Sequence, residues 1–313
     1  MSVHKSLKSR ETVCISGSSN SFVHAQRFIR RMHGGSQSIL VQGEDEDLYV
    51  VKLNHNPQGP NVLANELLGS ELLRILGLPT PTWRPIYISK EFLDAHSGLH
   101  FEHSCSLKRI PQGLHFGSSF VQEKNGGDVF DFLPSSFRHR IRKPHFFLGI
   151  YIFDIWANHL DHRQALFSSP PNSRTITAQF IDNGHLFGGP NWNINGKPGA
   201  AMCLDRNVYT APWDDVSVSK WISHLEELIP PNLSRVVRQI PADWYQGDLK
   251  RLTEFLLIRL GDLHQLFQHE LRFNRRVKSI AHTSTSNAAM PLCSPRSLSI
   301  RAISGLRSAL PAP

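Results

Sequence analysis

The segment that most constrains the fold is the most apolar stretch of the chain, which runs from Phe146 to Ala157. A membrane-spanning helix needs about 20 consecutive apolar residues. This stretch has only 12 residues, and one of them is Asp154. We therefore exclude a membrane-spanning protein and predict a strongly apolar helix over residues 143–158.

Composition narrows the class of protein further. The 313 residues are 40% hydrophobic and 19% charged, which is close to an average globular protein and excludes collagen-like or wholly disordered chains. Residues 1–31 lack the apolar core of a secretory signal. The cysteines are scattered and form no C-x-x-C motif, which favours a reduced, cytoplasmic chain; they are Cys14, Cys105, Cys203 and Cys293.

The positive charge is concentrated in the C-terminal tail. The net charge is +8, but residues 275–313 contain six basic residues and no acidic one, which leaves +2 for the rest. Residues 274–313 are also rich in Ser, Ala, Thr and Pro, so we predict a disordered tail. The tail has no aromatic side chain on which bases could stack, so we do not expect nucleic acid as a partner. We also expect residues 1–22 to form a poorly ordered extension.

The first half of the chain predicts a small sheet with one helix. An apolar run from Ser38, a charged turn at Gly43 and a second run from Leu48 to Leu53 predict a β-hairpin. Residues 61–76 place apolar side chains at helical spacing and end at Gly77, and residues 83–89 predict another strand.

The second half predicts mainly helices around a short hairpin. Strands are predicted at 165–167 and 176–181, and helices at 218–228, 232–239 and 249–273. The expected fold class is α+β: a small β-rich N-lobe over 23–112, a join at 113–121 and a larger helical C-lobe over 122–273.

The first half also contains candidates for binding a phosphorylated ligand. Phosphoryl transfer depends on positioning and on neutralising charge, and it uses a loop over the phosphates, a strand lysine and a helix glutamate that orients it. Lys52 ends an apolar strand, and Glu66 lies 14 positions later on the predicted helix. Just before the first strand of the hairpin, Gly34, Gly35, Ser36 and Gln37 form a candidate phosphate loop.

Two aspartates in the second half complete the set. Asp161 follows the apolar helix in a polar loop, where it would face a hydroxyl nucleophile as a base. Asp182 follows the strand at 176–181, and Gly184 permits the sharp turn that would direct its carboxylate at a metal ion.

These motifs, in this order, resemble the HipA-like kinase domain family. The resemblance rests on Tyr-Val-Val-Lys52, Asn-Pro-Gln-Gly59, Val-Leu-Ala-Asn-Glu66 and Leu-Gly-Leu-Pro-Thr-Pro81, and continues through His115-Phe-Gly-Ser118, Asp161-His-Arg-Gln-Ala-Leu-Phe167 and Phe-Ile-Asp-Asn-Gly184. It spans roughly residues 23–273. It implies a protein-kinase-like bilobal fold that binds ATP and Mg²⁺ between the lobes.

The resemblance also implies roles for single residues. Lys52 would contact the α- and β-phosphates, Glu66 would orient it, Asp161 would be catalytic and Asp182 would hold Mg²⁺. Residues 113–121 would be the hinge against the adenine. Kinases place a metal-binding asparagine five positions after the catalytic aspartate, where this chain has Leu166, so we take Gln164 as the substitute ligand.

Three functions stay open on the sequence alone. The first is an ATP- and Mg²⁺-dependent phosphotransferase that acts on a Ser/Thr hydroxyl of a protein or of itself. The second is a nucleotide-binding pseudokinase or interaction module, which the leucine at 166 favours. The third is a metal-dependent hydrolase that uses His159, Asp161 and His162 as ligands.

Overall fold

The computed structural model of the protein describes residues 22–103, 106–123, 127–194, 208–209 and 213–272. The predicted tail at 274–313 and the predicted extension, except for Phe22, lie outside the described residues. No helix in the described part is long and apolar enough to cross a membrane.

The strands of the N-terminal half are β1 (Val23–Arg31), β2 (Ile39–Gly43), β3 (Leu48–Lys52), β4 (Trp83–Ile88), β5 (His100–His103), β6 (Ser106–Arg109) and β7 (Gly113–Ser119). Five of them form a closed barrel in the order β1-β2-β3-β7-β4. The predicted hairpin is confirmed as the antiparallel pair β2–β3, and the barrel closes through a parallel pairing of β1 with β4. A separate two-stranded ladder joins β5 to β6.

Apolar side chains of alternate residues fill the barrel. In β2 and β3, Ile39, Val41 and Val51 are fully buried and contact one another inside the barrel, as the period of two in a strand requires. The short helix α2 (Lys90–Ala95) covers this core with Phe92.

The predicted first helix is confirmed as α1 (Val62–Ile75); Leu76 caps it, and the chain then turns away at Gly77, which has φ of 68°. Its buried residues do not join the barrel core. They pack into a larger core with the helices of the second half, so α1 connects the barrel to the rest of the molecule.

The second half surrounds this larger core. The apolar stretch forms helix α3 (Phe146–Trp156), in which every residue but the first is buried. Around it lie α4 (Asp215–Val237), α5 (Leu249–Gly261) and a sheet of β8 (Asp128–Phe130), β9 (Gln164–Ser169) and β10 (Thr177–Ile181) in the order β10-β9-β8. Short 3₁₀ helices occur at Ser135–Arg140 and Ala242–Trp244.

Three predictions about elements are corrected by the structure. Most of the predicted hinge at 113–121 is strand β7, which pairs with both β3 and β4, so a connecting segment can begin only at Phe120. The helices predicted at 218–228 and 232–239 are the single helix α4, which continues through Pro230 and Pro231. The helix predicted at 249–273 is interrupted at Asp262, between α5 and a helical segment at 263–272.

Candidate active site

The centre of the candidate site is Lys52, which lies between two carboxylates. Its Nζ forms an ion pair with Glu66 Oε1 and lies 2.6 Å from Asp182 Oδ1. The last residue of β3 therefore meets one residue of α1 and the residue that follows β10. The structure brings together three residues that the sequence pattern selected, although 130 positions separate Lys52 from Asp182.

Electrostatics fix the protonation state of this group. Burial alone would lower the pKa of Lys52, but the carboxylates of Asp182 and Glu66 outweigh burial and raise it. The Lys52 ammonium lowers the pKa of Asp182 to about 2, against the opposing effect of burial. At neutral pH the lysine is charged and Asp182 is ionised.

Gln164 lies beside the second oxygen of Asp182. Its Nε2 donates to Asp182 Oδ2 at 2.9 Å, because Gln164 pairs with Ile181 at the end of the β9–β10 ladder. Leu166 pairs with Gln179, farther along the same ladder. Gln164 is therefore the amide that the strand pairing places next to Asp182.

Asp161 occupies the polar loop between α3 and β9. It is exposed, and its Oδ1 accepts a hydrogen bond of 2.7 Å from the backbone N–H of His162. The loop contacts the segment that follows Asp182, because Leu160 N donates to His185 O at 3.0 Å. Among the described residues, no hydrogen bond or ion pair joins Asp161 to Lys52 or Asp182.

A buried ion pair anchors this loop, and the sequence analysis did not identify it. Arg163 pairs with Asp154 of α3, and both side chains are fully buried. Arg163 Nη1 also donates to Ile181 O at 2.9 Å and to Asn183 Oδ1 at 2.8 Å. One guanidinium thus connects α3, the loop of Asp161 and both neighbours of Asp182. The aspartate within the most apolar stretch was the sequence signal for it, because a buried carboxylate needs a cationic partner.

The predicted phosphate loop forms its hydrogen bonds with residues other than those of the candidate site. Gln37 N donates to Gly34 O at 3.2 Å, and Asn56 Nδ2 donates to Ser36 O at 3.0 Å. The Gln37 side chain bonds to the backbone of Glu102 in β5. Among the hydrogen bonds of the described residues, none connects Gly34, Gly35, Ser36 or Gln37 to Lys52, Glu66 or Asp182.

The side chains proposed for a hydrolase do not converge. His159 is buried, with Nδ1 3.4 Å from Asp154 Oδ1, whereas Asp161 is exposed. Within the described ranges, no group of three His, Cys, Asp or Glu side chains is arranged to hold a metal ion. The structure therefore gives no support to a hydrolytic metal centre at His159, Asp161 and His162.

A strand lysine paired with a helix glutamate and with an aspartate after a later strand is a kinase-like arrangement. The sequence comparison agrees with it, since residues 25–175 match the model of the HipA-like kinase family. The resemblance to HipA-like kinases is therefore confirmed, and it is the basis for describing this chain as a kinase-like phosphotransferase. A comparison with curated proteins found no match.

Solved kinase structures are similar to this chain at low identity. The proinflammatory kinase CtkA of Helicobacter pylori is 12% identical, with a TM-score of 0.48 over 79% of this chain and 94% of that chain. The Golgi casein kinase is 11% identical, with a TM-score of 0.48 over 80% of this chain and 74% of that chain. A structure of the Golgi casein kinase with Mn/ADP bound is 10% identical, with a TM-score of 0.46 over 78% and 71% of the two chains.

Proposed function

We propose that this protein is an ATP- and Mg²⁺-dependent phosphotransferase that transfers a phosphoryl group to a Ser/Thr hydroxyl of a protein or of itself. The observation that supports this proposal most directly is the position of Lys52 between Glu66 and Asp182. Such a lysine supplies a fixed positive charge for phosphate oxygens, while its glutamate partner prevents it from turning away.

The residues present fit one divalent cation that is shared with a nucleotide. Asp182 offers an ionised carboxylate, and the Gln164 side chain next to it can present its carbonyl oxygen after rotation about its last bond. Mg²⁺ is usually bound through one or two protein oxygens, with water and substrate phosphates completing the shell. When bound, the ion would neutralise charge on the phosphate oxygens.

In the proposed transfer, the acceptor hydroxyl oxygen forms a bond to the γ-phosphorus of ATP. The bond between that phosphorus and the β–γ bridging oxygen breaks, and ADP leaves. Asp161, which is exposed, would accept the hydroxyl proton. Lys52 would hold the α- and β-phosphates in place.

The proposal includes a two-lobed arrangement with the nucleotide between the lobes. The barrel core and the larger core are separate hydrophobic clusters. Lys52 ends a strand of the barrel, whereas Asp182 follows β10, which packs on the larger core. We infer that the N-lobe comprises residues 23–119, that the C-lobe comprises residues 127–272, and that the connection begins at Phe120.

A second candidate is a pseudokinase, which Leu166 favours because this side chain offers no metal ligand. The two functions differ in turnover and not in binding. Formation of ADP together with a phosphorylated protein, in the presence of ATP and Mg²⁺, would exclude the pseudokinase. Nucleotide binding without either product would support it.

Calorimetric titration of ATP, with and without Mg²⁺, tests the nucleotide site. We expect the wild type to bind ATP more tightly with Mg²⁺, and we expect Asp182→Ala to lose this gain because the ion loses its one charged ligand. With Mg²⁺ present, the affinity should fall by at least the roughly 10–100-fold that the loss of a group supporting a metal ligand causes, because Asp182 is the proposed ligand itself.

The matched control is Asp131→Ala, because Asp131 is an exposed aspartate outside the candidate site. It should bind ATP as the wild type does. Absence of ATP binding by the wild type under both conditions would remove the proposed function. A Mg²⁺ effect that persists in the Asp182 variant would remove only the assignment of Asp182.

A further inference from the structure

Asn65 precedes the glutamate of the site and faces the chain that follows Asp182. Its side chain is completely buried, and its Nδ2 lies 2.9 Å from Gly184 O, 3.0 Å from Leu186 O and 3.3 Å from Gly189 O. An amide nitrogen carries two hydrogens, so these three carbonyl groups share both of its donors. We call residues 183–192 the post-Asp182 segment.

Asp182 and the post-Asp182 segment contain several residues with left-handed backbone, and two of these, Phe187 and Trp192, are residue types that do not favour it. Asp182, Phe187 and Trp192 have φ of 65°, 60° and 48°, and Gly188 and Gly189 also have positive φ. A bulky residue such as Phe187 or Trp192 in the left-handed region costs about 1–2 kcal/mol. Such a backbone persists only where contacts from outside the segment maintain it.

The oxygen of the Asn65 carboxamide also accepts a hydrogen bond. Trp192 Nε1 donates to Asn65 Oδ1 at 2.7 Å, and the indole ring stacks on Tyr245 with 5.9 Å between ring centroids. The carboxamide therefore contacts both ends of the post-Asp182 segment through its donors and its acceptor.

Other residues of α1 contact the same segment. A Cβ added at Gly69 would lie 2.6 Å from Leu186 and 2.7 Å from Asn183, so the backbone of α1 approaches the segment closely there. Asn183 Nδ2 donates to Ser70 Oγ at 3.2 Å. Glu66, in the same helix, reaches Asp182 through Lys52.

We propose that Asn65 is a positioning residue: it holds the post-Asp182 segment in its left-handed path on α1 and thereby keeps the Asp182 carboxylate beside Lys52. The consequence for nucleotide binding rests on the proposed function, whereas the effect on the segment does not. Asn65 acts through Asp182 and needs no contact with the nucleotide.

The test uses Asn65→Ala, which removes the donors and the acceptor, and Trp192→Phe, which removes one donor and keeps a ring to stack on Tyr245. The matched control is Asn232→Ala, because among the described residues the Asn232 side chain bonds within its own helix: Nδ2 donates to Leu228 O at 2.9 Å and Oδ1 accepts from Arg235 Nη2 at 3.0 Å. Two quantities are measured on the full-length protein: backbone amide hydrogen exchange in peptides covering 182–192, and the ratio of ATP affinities with and without Mg²⁺.

For Asn65→Ala we expect faster exchange confined to the peptides at 182–192. We also expect the Mg²⁺-dependent gain in ATP affinity to fall about tenfold, as it does at metal sites that lose a group orienting a metal ligand. The affinity without Mg²⁺ should stay near that of the wild type. Trp192→Phe should show the same pattern with a smaller change, and Asn232→Ala should show neither change.

Each outcome decides between the alternatives. Unchanged exchange at 182–192 would overturn the proposal, even if the wild type bound no nucleotide and the proposed function had failed. Faster exchange together with an unchanged ratio of ATP affinities with and without Mg²⁺ would overturn the positioning role. An equal decrease of the ATP affinity with and without Mg²⁺ would show that Asn65 supports only the general stability of the fold. If Asn65→Ala does not fold, Trp192→Phe decides the question by the same criteria.

Discussion

At the scale of single residues, the site depends on one positive charge shared by two carboxylates. Lys52 is 12% exposed in its side chain, so water screens the interaction only weakly. Glu66 and Asp182 would repel each other without this ammonium group. Lys52 therefore has a structural task in the free protein besides its proposed task with phosphates.

Replacement of Lys52 by alanine should affect both tasks. We expect phosphoryl transfer to fall by roughly a hundredfold or more, because a preorganised charge is lost where charge develops. We also expect the pKa of Asp182 to rise from about 2, because Lys52 is the main cause of its lowering. Transfer is measured by phosphate incorporation, and the pKa by carboxyl NMR titration.

The control for this variant is Lys250→Ala, since the Lys250 side chain is 84% exposed and, among the described residues, forms an ion pair only with Glu254, at 3.9 Å. It should leave both quantities unchanged. Near-normal transfer in Lys52→Ala would contradict the assignment of Lys52, whatever the titration showed.

The residues that the sequence revealed and those it concealed differ in a physical respect. Lys52 and Glu66 lie on consecutive elements, so their spacing and the local periodicity were sufficient to relate them. Asn65 and Arg163 act through backbone carbonyl groups of a distant segment. Any residue can supply a backbone carbonyl, so no sequence pattern marks such a contact.

At the scale of elements, the helices α3 and α4 approach each other closely at Gly149. A Cβ added there would lie 2.6 Å from the indole of Trp221, which also packs against Phe146. The apolar stretch therefore needs its one glycine where the second helix crosses it.

Substitution of Gly149 by alanine should destabilise the protein. The Trp221 ring and helix α3 must separate to admit the methyl group of alanine, and overpacking of this kind costs about 1–3 kcal/mol. The free energy of unfolding is measured by urea denaturation. Gly261→Ala is the matched control: Gly261 lies at the end of α5, and no atom of the described part of the chain lies within 4 Å of an added Cβ.

The control should be neutral or stabilising by up to about 1 kcal/mol, because alanine favours the helix more than glycine does. A stability of Gly149→Ala equal to that of the wild type would show that Trp221 moves aside without cost.

Periodicity predicted elements well where local pattern and tertiary packing agree. The hairpin, α1 and the apolar helix are of this kind. For α4 the predicted helices left a gap at 229–231, which contains two prolines, but Ile229 and Leu233 on either side of the prolines are buried in the larger core. Tertiary packing maintains the helix there despite two missing backbone donors.

At the scale of the whole molecule, the closure of the barrel could not be read from the sequence. β7 pairs with β3 and β4, and β1 pairs with β4 in parallel, so every closing contact spans a long stretch of chain. These long-range pairings make residues 113–119 of the segment predicted as a connection at 113–121 a strand of the barrel. The mixed α and β character was predictable, whereas the order of the strands was not.

A buried histidine of β7 connects the closed barrel to the loop that follows Lys52. His115 Nδ1 accepts a hydrogen bond of 2.8 Å from Asn54 N, which fixes the proton on Nε2, 3.1 Å from Pro111 O. The ring is fully buried. Burial lowers the pKa of His115 from 6.5 to about 4, because a protonated ring would lose the Asn54 bond and water together.

This histidine should make the stability of the fold depend on pH. Its pKa is lower in the folded than in the unfolded chain, so the unfolded chain binds the extra proton as the pH falls below about 6.5. The stabilisation is complete above that pH and is lost progressively down to about pH 4. Between pH 7.5 and pH 5 we expect a loss of roughly 2 kcal/mol from this residue.

The measurement is urea unfolding at both pH values for the wild type and for His115→Asn, whose amide can accept from Asn54 but does not titrate. The variant should start less stable at pH 7.5, since asparagine fills less of the cavity, and should lose less stability on acidification. His139→Asn is the control, because His139 is exposed, and its pH dependence should equal that of the wild type. An equal loss in His115→Asn would mean that other groups cause the acid sensitivity, because any group that binds more protons in the unfolded than in the folded chain, a carboxylate with a lowered pKa included, produces a dependence of this sign.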